Sequence, residues 1–426
     1  LLSLMLLAWG CSDKAGAKPQ APNFTLMDIH GNQVSLHQFK GSPVILDFWA
    51  TWCPPCRMSI PELIKIQEEY KDKGLVVLGL SVDNPSQASN AYLREFKKEY
   101  KINYRILRAN HRVLTDYFGY ENPAIPTMFF VNADGKIVDK IVGFNSTGVK
   151  RALAELELRA DRSRFFEGEP AFKTIYASSK AQLAGIEDLL AHMDREGIDK
   201  SVIFGFPWER SDNFKRHNDY ILEAVGRYPD RLIGFACFSP LSPKGAREAE
   251  RCISSGLKGV GELAVYGGGI NRSVIEALRD VMAVCEKLDV PVLVHTNEPV
   301  GHQYPGKAPM TLKQIYDLVK EFTENRIILA HWGGGLFFYG LMKKEVREVL
   351  ENVWFDTAAS PFLYRPDVYK IAGGTMGYEK ILFGTDFPLL PAGRYLMEMD
   401  SAGISEEHRK KILGENAQIL LGITED

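Results

Sequence analysis

Two rhythms of apolar and polar residues run along the chain. Phe24 to Leu36 alternates around His30-Gly31-Asn32, which predicts a hairpin. Val44 to Trp49 is an apolar run interrupted only by Asp47, suited to a central strand, and Leu75 to Val82 is a second strand. Helical patterns cover Arg57 to Lys73 and Gln87 to Tyr100. Thr127 to Val131 and Lys136 to Val142 flank Asn132-Ala133-Asp134-Gly135, a hairpin turn. A helix from Thr147 to about Arg159 closes this unit.

After residue 180 the rhythm becomes strand, helix, strand. Strands are predicted to begin near Ser201, Leu232, Gly259, Pro291, Ile327, Val353 and Ile381, each followed by a helical stretch. Such alternation implies a parallel sheet with right-handed crossovers. Seven units of this kind predict a TIM barrel, and no Gly-x-Gly-x-x-Gly follows a first strand to favour a doubly wound sheet. The fold class is therefore α/β, with domains over 23–159 and 160–426.

Residues 1–22 differ from both. Leu1 to Trp9 is almost wholly apolar and Gly10-Cys11-Ser12 follows. The run is too short to span a bilayer but suits the core of a secretory signal, and small residues ahead of a cysteine resemble a lipoprotein cleavage site. On this reading Cys11 carries lipid, residues 12–22 form a flexible tether, and the protein is extracytoplasmic (periplasmic) and membrane-attached only through that anchor. A clipped hydrophobic strand is the competing reading of the same residues.

Composition narrows the classes. Of 426 residues, 45% are hydrophobic and 25% charged, enough to fill a core, which excludes a disordered chain. A net charge of -3 without long basic runs gives no nucleic-acid footprint. Six cysteines are too few for a disulfide scaffold at this length; Cys237, Cys252 and Cys285 sit in apolar surroundings and read as core residues.

The remaining pair carries chemistry. Cys53 falls where a strand ends and a helix begins, and a helix N-terminus favours a thiolate. Cys56 lies one helical turn on, placed to resolve a mixed disulfide. Asp47 is a carboxylate inside an apolar strand, where burial raises its pKa and lets it relay protons. Ile125-Pro126 precedes a strand, where a cis proline can face the dithiol. A zinc knuckle needs two further close ligands, and none follows. A peroxiredoxin, suggested by Pro22-Asn23-Phe24-Thr25, usually lacks the second cysteine three residues on. The run Asp47-Phe48-Trp49-Ala50-Thr51-Trp52-Cys53-Pro54-Pro55-Cys56, with Ala124-Ile125-Pro126-Thr127, resembles the thioredoxin-like fold of the TlpA/ResA-type thiol–disulfide oxidoreductases. That resemblance implies Cys53 as nucleophile, Cys56 as resolving thiol and proteins bearing thiols or disulfides as partners.

In a TIM barrel, reactive residues stand at the C-terminal ends of strands. There the sequence places Glu262, His295, His331 and Asp386. Imidazole and carboxylate together suit zinc or a similar divalent ion. His192, His217 and His408 fall on predicted helices and read as surface residues; His302 and Tyr304 follow His295 and are candidates for substrate contact. Val294-His295-Thr296, Leu329-Ala330-His331-Trp332-Gly333-Gly334, Phe383-Gly384-Thr385-Asp386-Phe387-Pro388 and Gly414-Glu415-Asn416-Ala417 resemble the amidohydrolase-related branch of metal-dependent hydrolases and decarboxylases. The resemblance implies His295 as a metal ligand, Asp386 as a ligand or acid/base, His331 as a second ligand or the catalytic histidine, and Glu262 as a metal-binding carboxylate.

The chain departs from that family in one respect. None of its nine histidines forms the His-x-His pair of a first barrel strand, and Arg159 to Tyr176 holds no histidine. The barrel is thus expected to be incomplete, with the redox domain in place of its first strand. Three readings follow: a weaker metal site, a barrel that only binds a ligand or partner, or two neighbouring genes joined artificially. The leading expectation is a thiol–disulfide oxidoreductase fused to an amidohydrolase-like hydrolase acting on a small molecule. The alternatives are a metal-dependent hydrolase or decarboxylase with an accessory redox domain, and a non-catalytic ligand-binding barrel.

Overall fold

A computed structural model describes residues 2–5, 20–119, 123–146, 148–149, 152–153, 165–177 and 183–423. The chain divides into two compact units, one of Gly16–Arg162 and the other of Leu1–Ala15 with Ser163–Asp426. Most of the helix predicted over 147–159 lies outside the described residues. Strand β1 (Leu2–Met5) belongs to the second unit.

The first unit opens with the predicted hairpin, β2 (Thr25–Met27) paired antiparallel with β3 (Gln33–Ser35). Its sheet has five strands: β4 (Val44–Trp49), β5 (Val76–Ser81), β6 (Arg105–Arg108), β7 (Thr127–Val131) and β8 (Ile137–Val142). The order is β6-β5-β4-β7-β8, with β4 central and fully buried. Alternation along β4 sorts its side chains. Val44, Leu46 and Phe48 enter one core with Leu78, Leu80, Tyr117 and Phe129. Ile45 and Trp49 enter the other, with Cys53, Cys56, Ile60, Phe96 and Tyr104. Asp47, between Ile45 and Trp49 in the alternation, belongs to this second face.

The helix over Pro54–Tyr70 starts three residues earlier than the periodicity predicted, because Pro54 and Pro55 occupy its first turn. Proline is tolerated there, since the first N–H groups have no intrahelical partner and its φ is already helical.

In the second unit β9 (Lys200–Ile203), β10 (Leu232–Ala236), β11 (Gly259–Leu263), β12 (Val292–Val294), β13 (Ile327–Leu329), β14 (Val353–Asp356) and β15 (Ile381–Leu382) pair in parallel in chain order. These are the seven predicted strands. An eighth, β1, lies parallel to β9 with Leu2 opposite Lys200 and Met5 opposite Ile203. Residues read from the sequence as part of an apolar leader thus lie at the β9 edge. Among the described residues β1 does not pair with β15, so the sheet remains open. Val202, Ile233, Phe235, Leu293, Ile328 and Leu382 form a buried core with Ala417 and Leu420 of the final helix.

Two helical histidines depart from the sequence reading. His192 is buried and packs on Phe387 at 4.5 Å between ring centroids. His217 is partly buried and accepts a hydrogen bond from the Trp208 indole N–H at 2.8 Å. Both sit on the inner stripe of an amphipathic helix, which one polar side chain does not reveal. Glu169 is buried because its carboxylate accepts from the backbone N–H groups of Glu209 and Arg210 and from Asn213. It thereby meets free donors at the start of the helix over Ser211–Arg227.

Candidate functional site

The first site forms where β4 runs into the helix over Pro54–Tyr70. Cys53 is the residue ahead of that helix, and its sulfur accepts the backbone N–H of Cys56 at 3.2 Å. A thiolate formed there gains from that bond and from the positive end of the helix dipole. Cys53 and Cys56 are joined as a disulfide, and Cys53 Sγ lies 3.7 Å from the carbonyl oxygen of Ile125. The Ile125–Pro126 peptide is cis. Cys53 and Cys56 are buried, whereas Trp52 and Met58 beside them are 63% and 62% exposed, an apolar rim that a protein partner can cover.

Asp47 is wholly buried, neither carboxylate oxygen has a hydrogen-bond partner, and burial pushes its pKa up to about 7. Asp83 was not singled out from the sequence. Its carboxylate accepts from the Thr51 backbone N–H, the Thr51 hydroxyl at 2.7 Å and the Ser81 hydroxyl at 2.9 Å. It fixes the loop two residues before Cys53.

The second site lies at the strand ends of the barrel. Glu262 is the penultimate residue of β11 and follows a position that only glycine permits: Gly261 has φ +130°, and a Cβ there would stand 2.2 Å from the Leu293 carbonyl oxygen. His295 follows β12 two residues after the core residue Leu293, so alternation keeps it on the inner face. His331 and Asp386 both take left-handed backbone, at φ 56° and 55°. Non-glycine residues adopt that region at a cost of about 1–3 kcal/mol, a strain typical of functional sites.

The ligand atoms of Glu262, His295 and His331 lie within 4.8 Å of one another, and all three residues are buried. Asp386 is not one of this close set, but it lines the same cavity as His295 and His331. His295 Nδ1 meets Glu262 Oε1 at 2.7 Å, leaving His295 Nε2 without a partner. His331 Nδ1 faces the Ala358 carbonyl at 3.0 Å and must donate to it, which turns Nε2 toward Glu262 Oε1, 3.7 Å away. Glu262 Oε2 and Asp386 Oδ1 are buried and unpartnered as well. Asp356, at the end of β14, accepts the His331 backbone N–H at 2.8 Å and orients that histidine. It was legible as a carboxylate at a strand end but was not picked out.

The electrostatics agree with this geometry. Burial raises Glu262 to about 8 and Asp386 to about 7, with Asp356 adding to both, and burial lowers His295 to about 4. Several unspent lone pairs thus converge in a low-dielectric pocket. That donor set fits a divalent cation: two imidazoles, one backed by a carboxylate and one by a carbonyl, with further carboxylate oxygens facing inward. The adjoining cavity, about 280 Å³, is lined by Ile175, Tyr266, Tyr304, Phe362, Leu363 and Leu389, together with His302. His302 and Tyr304, the candidates for substrate contact, both line this cavity. Among the described strands β1 reads Leu-Ser-Leu-Met, so no His-x-His pair stands beside β9.

The amidohydrolase family model matches residues 132–423, and the AhpC/TSA family model matches residues 17–140. The chain belongs to the amidohydrolase family, with an N-terminal thioredoxin-like domain of the AhpC/TSA type. The thiol-disulfide oxidoreductase ResA of Bacillus cereus is 32% identical over 125 residues, covering 29% of this chain and 68% of that protein. A thiol:disulfide interchange protein of the thioredoxin family from Chlorobium tepidum is 27% identical, covering 34% of this chain and 99% of the other, with a TM-score of 0.30. The 5-carboxyvanillate decarboxylase of Novosphingobium aromaticivorans, solved with manganese, is 18% identical, covering 64% of this chain and 93% of the other, with a TM-score of 0.50. A thiol–disulfide oxidoreductase domain thus precedes an amidohydrolase-type domain on one chain.

Burial of Asp47 has a thermodynamic consequence. Its carboxyl titrates at about 7 in the folded chain against 3.8 unfolded, so the folded state holds the extra proton. Stability of this unit is then greatest below the unfolded pKa and falls as pH rises through 7, by on the order of a few kcal/mol. Amide exchange of β4 in the full chain at several pH values is expected to show that decline, and Asp47→Asn to flatten it.

Proposed function

We propose that Cys53 is the attacking thiol of the redox unit, that Cys56 resolves the mixed disulfide, that Asp47 exchanges a proton with Cys56, and that Pro126 shapes the groove in which the partner lies. The observation that carries this reading is the Cys53 sulfur at a helix N-terminus, accepting the Cys56 N–H, with a buried and unpartnered carboxylate on the same face. The exposed Trp52 and Met58 favour protein thiols or disulfides as substrates. Cys56→Ser is expected to accumulate a mixed disulfide with a disulfide-bearing protein such as insulin, the Cys53 thiolate attacking one insulin sulfur and the other leaving as a thiolate. Cys53→Ser is expected to form none and to lose insulin-reducing turnover at least 100-fold. Equal turnover in the Cys53 variant would overturn the assignment.

For the barrel the reading is a divalent-metal site held by His295, His331 and Glu262, with Asp386 as a further ligand or as the acid/base. A bound divalent cation acts as a Lewis acid and brings the pKa of water to roughly 7. The chain's own contributions are separable from it. Asp356 orients His331, Glu262 orients His295, and Tyr266, Tyr304 and Phe362 offer an apolar wall to a small molecule whose reacting group reaches Asp386. Hydrolysis is the reaction we favour, since Asp386, raised toward neutrality by burial, can accept a proton from water; decarboxylation is the second reading of the same site. Elemental analysis after loading with zinc or manganese is expected to give about one ion per chain, and His295→Ala to weaken retention at least 10-fold. A chain that takes up no ion would leave the barrel as a ligand-binding module.

We also infer an extracytoplasmic protein with lipid on Cys11, on the strength of the apolar run Leu1 to Trp9 and Gly10-Cys11. Removal of that run would take β1 from the β9 edge. Mass spectrometry of the protein's N-terminal peptide from a bacterial host is expected to show diacylglycerol on Cys11; an unmodified peptide that retains Leu2–Met5 would refute it.

A further inference from the structure

The second face of the redox sheet holds more polar chemistry than a dithiol and one carboxylate. Both oxygens of Asp47, the indole nitrogen of Trp49 and the hydroxyl of Tyr104 are buried without hydrogen-bond partners. Trp49 and Tyr104 share one core cluster with Cys53 and Cys56, and alternation puts Asp47 on that side. Gly79 of β5 is the register partner of Asp47. A Cβ at Gly79 would stand 2.8 Å from Trp49 Nε1 and 3.1 Å from Tyr104 Cε2. The missing side chain is therefore the space into which two hydrogen-bond donors lean, directly beside the strand position of Asp47. The charge of Asp47 is felt at Tyr104, whose ionisation it opposes.

Among the described residues of this core, no other buried side-chain donor is left without a partner. The helix over Pro54–Tyr70 brings Cys56 and Ser59, and the Ser59 hydroxyl is already donated to the Cys56 carbonyl at 2.8 Å. The helix over Asn90–Glu99 brings Phe96, β6 brings Ile106 and β7 brings Met128. Among the described residues the titratable groups of this core are Tyr104 and the two cysteines, with Tyr70 and Tyr100 packed against its margin. Asp83 is spent on Thr51 and Ser81.

We propose that Tyr104 and Trp49 are positioning residues of the exchange reaction, holding the carboxylate that forms when Asp47 hands its proton to Cys56. This deepens the dithiol reading and rests on it. A substrate thiolate attacks Cys53 Sγ, the Cys53–Cys56 bond breaks, and its electron pair leaves on Cys56. Asp47 gives its proton to that sulfur. The products are a substrate–Cys53 disulfide, a Cys56 thiol and an Asp47 carboxylate. Only then is there a buried anion, and the Tyr104 O–H and Trp49 N–H are the free donors that can meet it. In the disulfide form, with Asp47 protonated, both are idle. The reverse reaction uses the same proton: Asp47 takes it from Cys56, and the Cys56 thiolate attacks Cys53 to release the substrate thiolate.

The test is the rate of reduction of the full chain's disulfide by dithiothreitol across pH 5 to 9, corrected for the reagent's own thiolate fraction, an interval of roughly two units either side of neutrality. Tyr104→Phe removes one donor from the charged form, so the midpoint due to Asp47 is expected to rise by about one pH unit. Asp47→Asn is expected to abolish that midpoint, and Tyr104→Phe added to it to change nothing further. Trp49→Phe is the second variant should the first fail to fold, with a shift in the same direction. A Tyr104→Phe profile that superimposes on the parent, or a shift that persists in the Asp47→Asn background, overturns the proposal. Insulin turnover of Cys53→Ser separates the two levels: its loss with a silent Tyr104→Phe sinks this inference alone, while its retention sinks the dithiol reading itself.

Discussion

Taking an ionisable group out of water and giving it no partner is the constraint on which both sites depend. An isolated buried carboxylate cannot stay charged cheaply, so it keeps its proton until something arrives to compensate the charge. Asp47, with neither oxygen partnered, and Glu262 and Asp386, each with one buried oxygen unpartnered, are raised toward or above neutrality by burial. The contrast is Asp83, buried to a similar degree but satisfied by three donors. That carboxylate shapes a loop. The unsatisfied ones are poised to act.

The compensation differs between the units because the surrounding atoms differ. Around Asp47 the idle groups are donors, an indole N–H and a phenol O–H, which suits a charge that appears and disappears with a proton. Around Glu262 the idle atoms are His295 Nε2, Glu262 Oε2 and Asp386 Oδ1, with His331 Nε2 close by, and once the carboxyl protons leave they are acceptors facing one another. Acceptors facing one another ask for a cation. The same physical penalty therefore favours proton traffic in one domain and metal binding in the other, and the identity of the neighbouring atoms decides which.

How much of this the sequence carried follows from how local each signal is. Cys53, Cys56, Asp47 and Pro126 sit in contiguous motifs at strand ends, so their placement needs only the strand–helix alternation. Glu262, His295, His331 and Asp386 come from four separate strands, and a parallel barrel sends all such ends to one side. Tyr104, Asp83 and Asp356 work through space. Tyr104 reaches Asp47's face across two strands and an absent Gly79 side chain, a contact that no spacing along the chain encodes. His192 and His217 were misplaced because helical periodicity gives a stripe without saying which polar residue lies on it. Leu2–Met5 is harder still: its partner, Lys200–Ile203, is nearly two hundred residues away, and four apolar residues fit a leader as well as a strand.

The open sheet edge links the fold to the missing ligands. An extended segment at the β9 edge gains backbone hydrogen bonds whatever its sequence. Backbone pairing is indifferent to side chains, and Leu-Ser-Leu-Met meets it as well as a histidine-bearing strand would. Metal affinity is not indifferent, because it depends on the atoms that the strand would present at its C-terminal end. A segment that pairs with β9 can therefore extend the ladder at this edge without adding a candidate ligand to those on β11 and after β12, β13 and β15. The load then falls on Glu262, which both orients His295 through Oε1 and offers Oε2 toward the site.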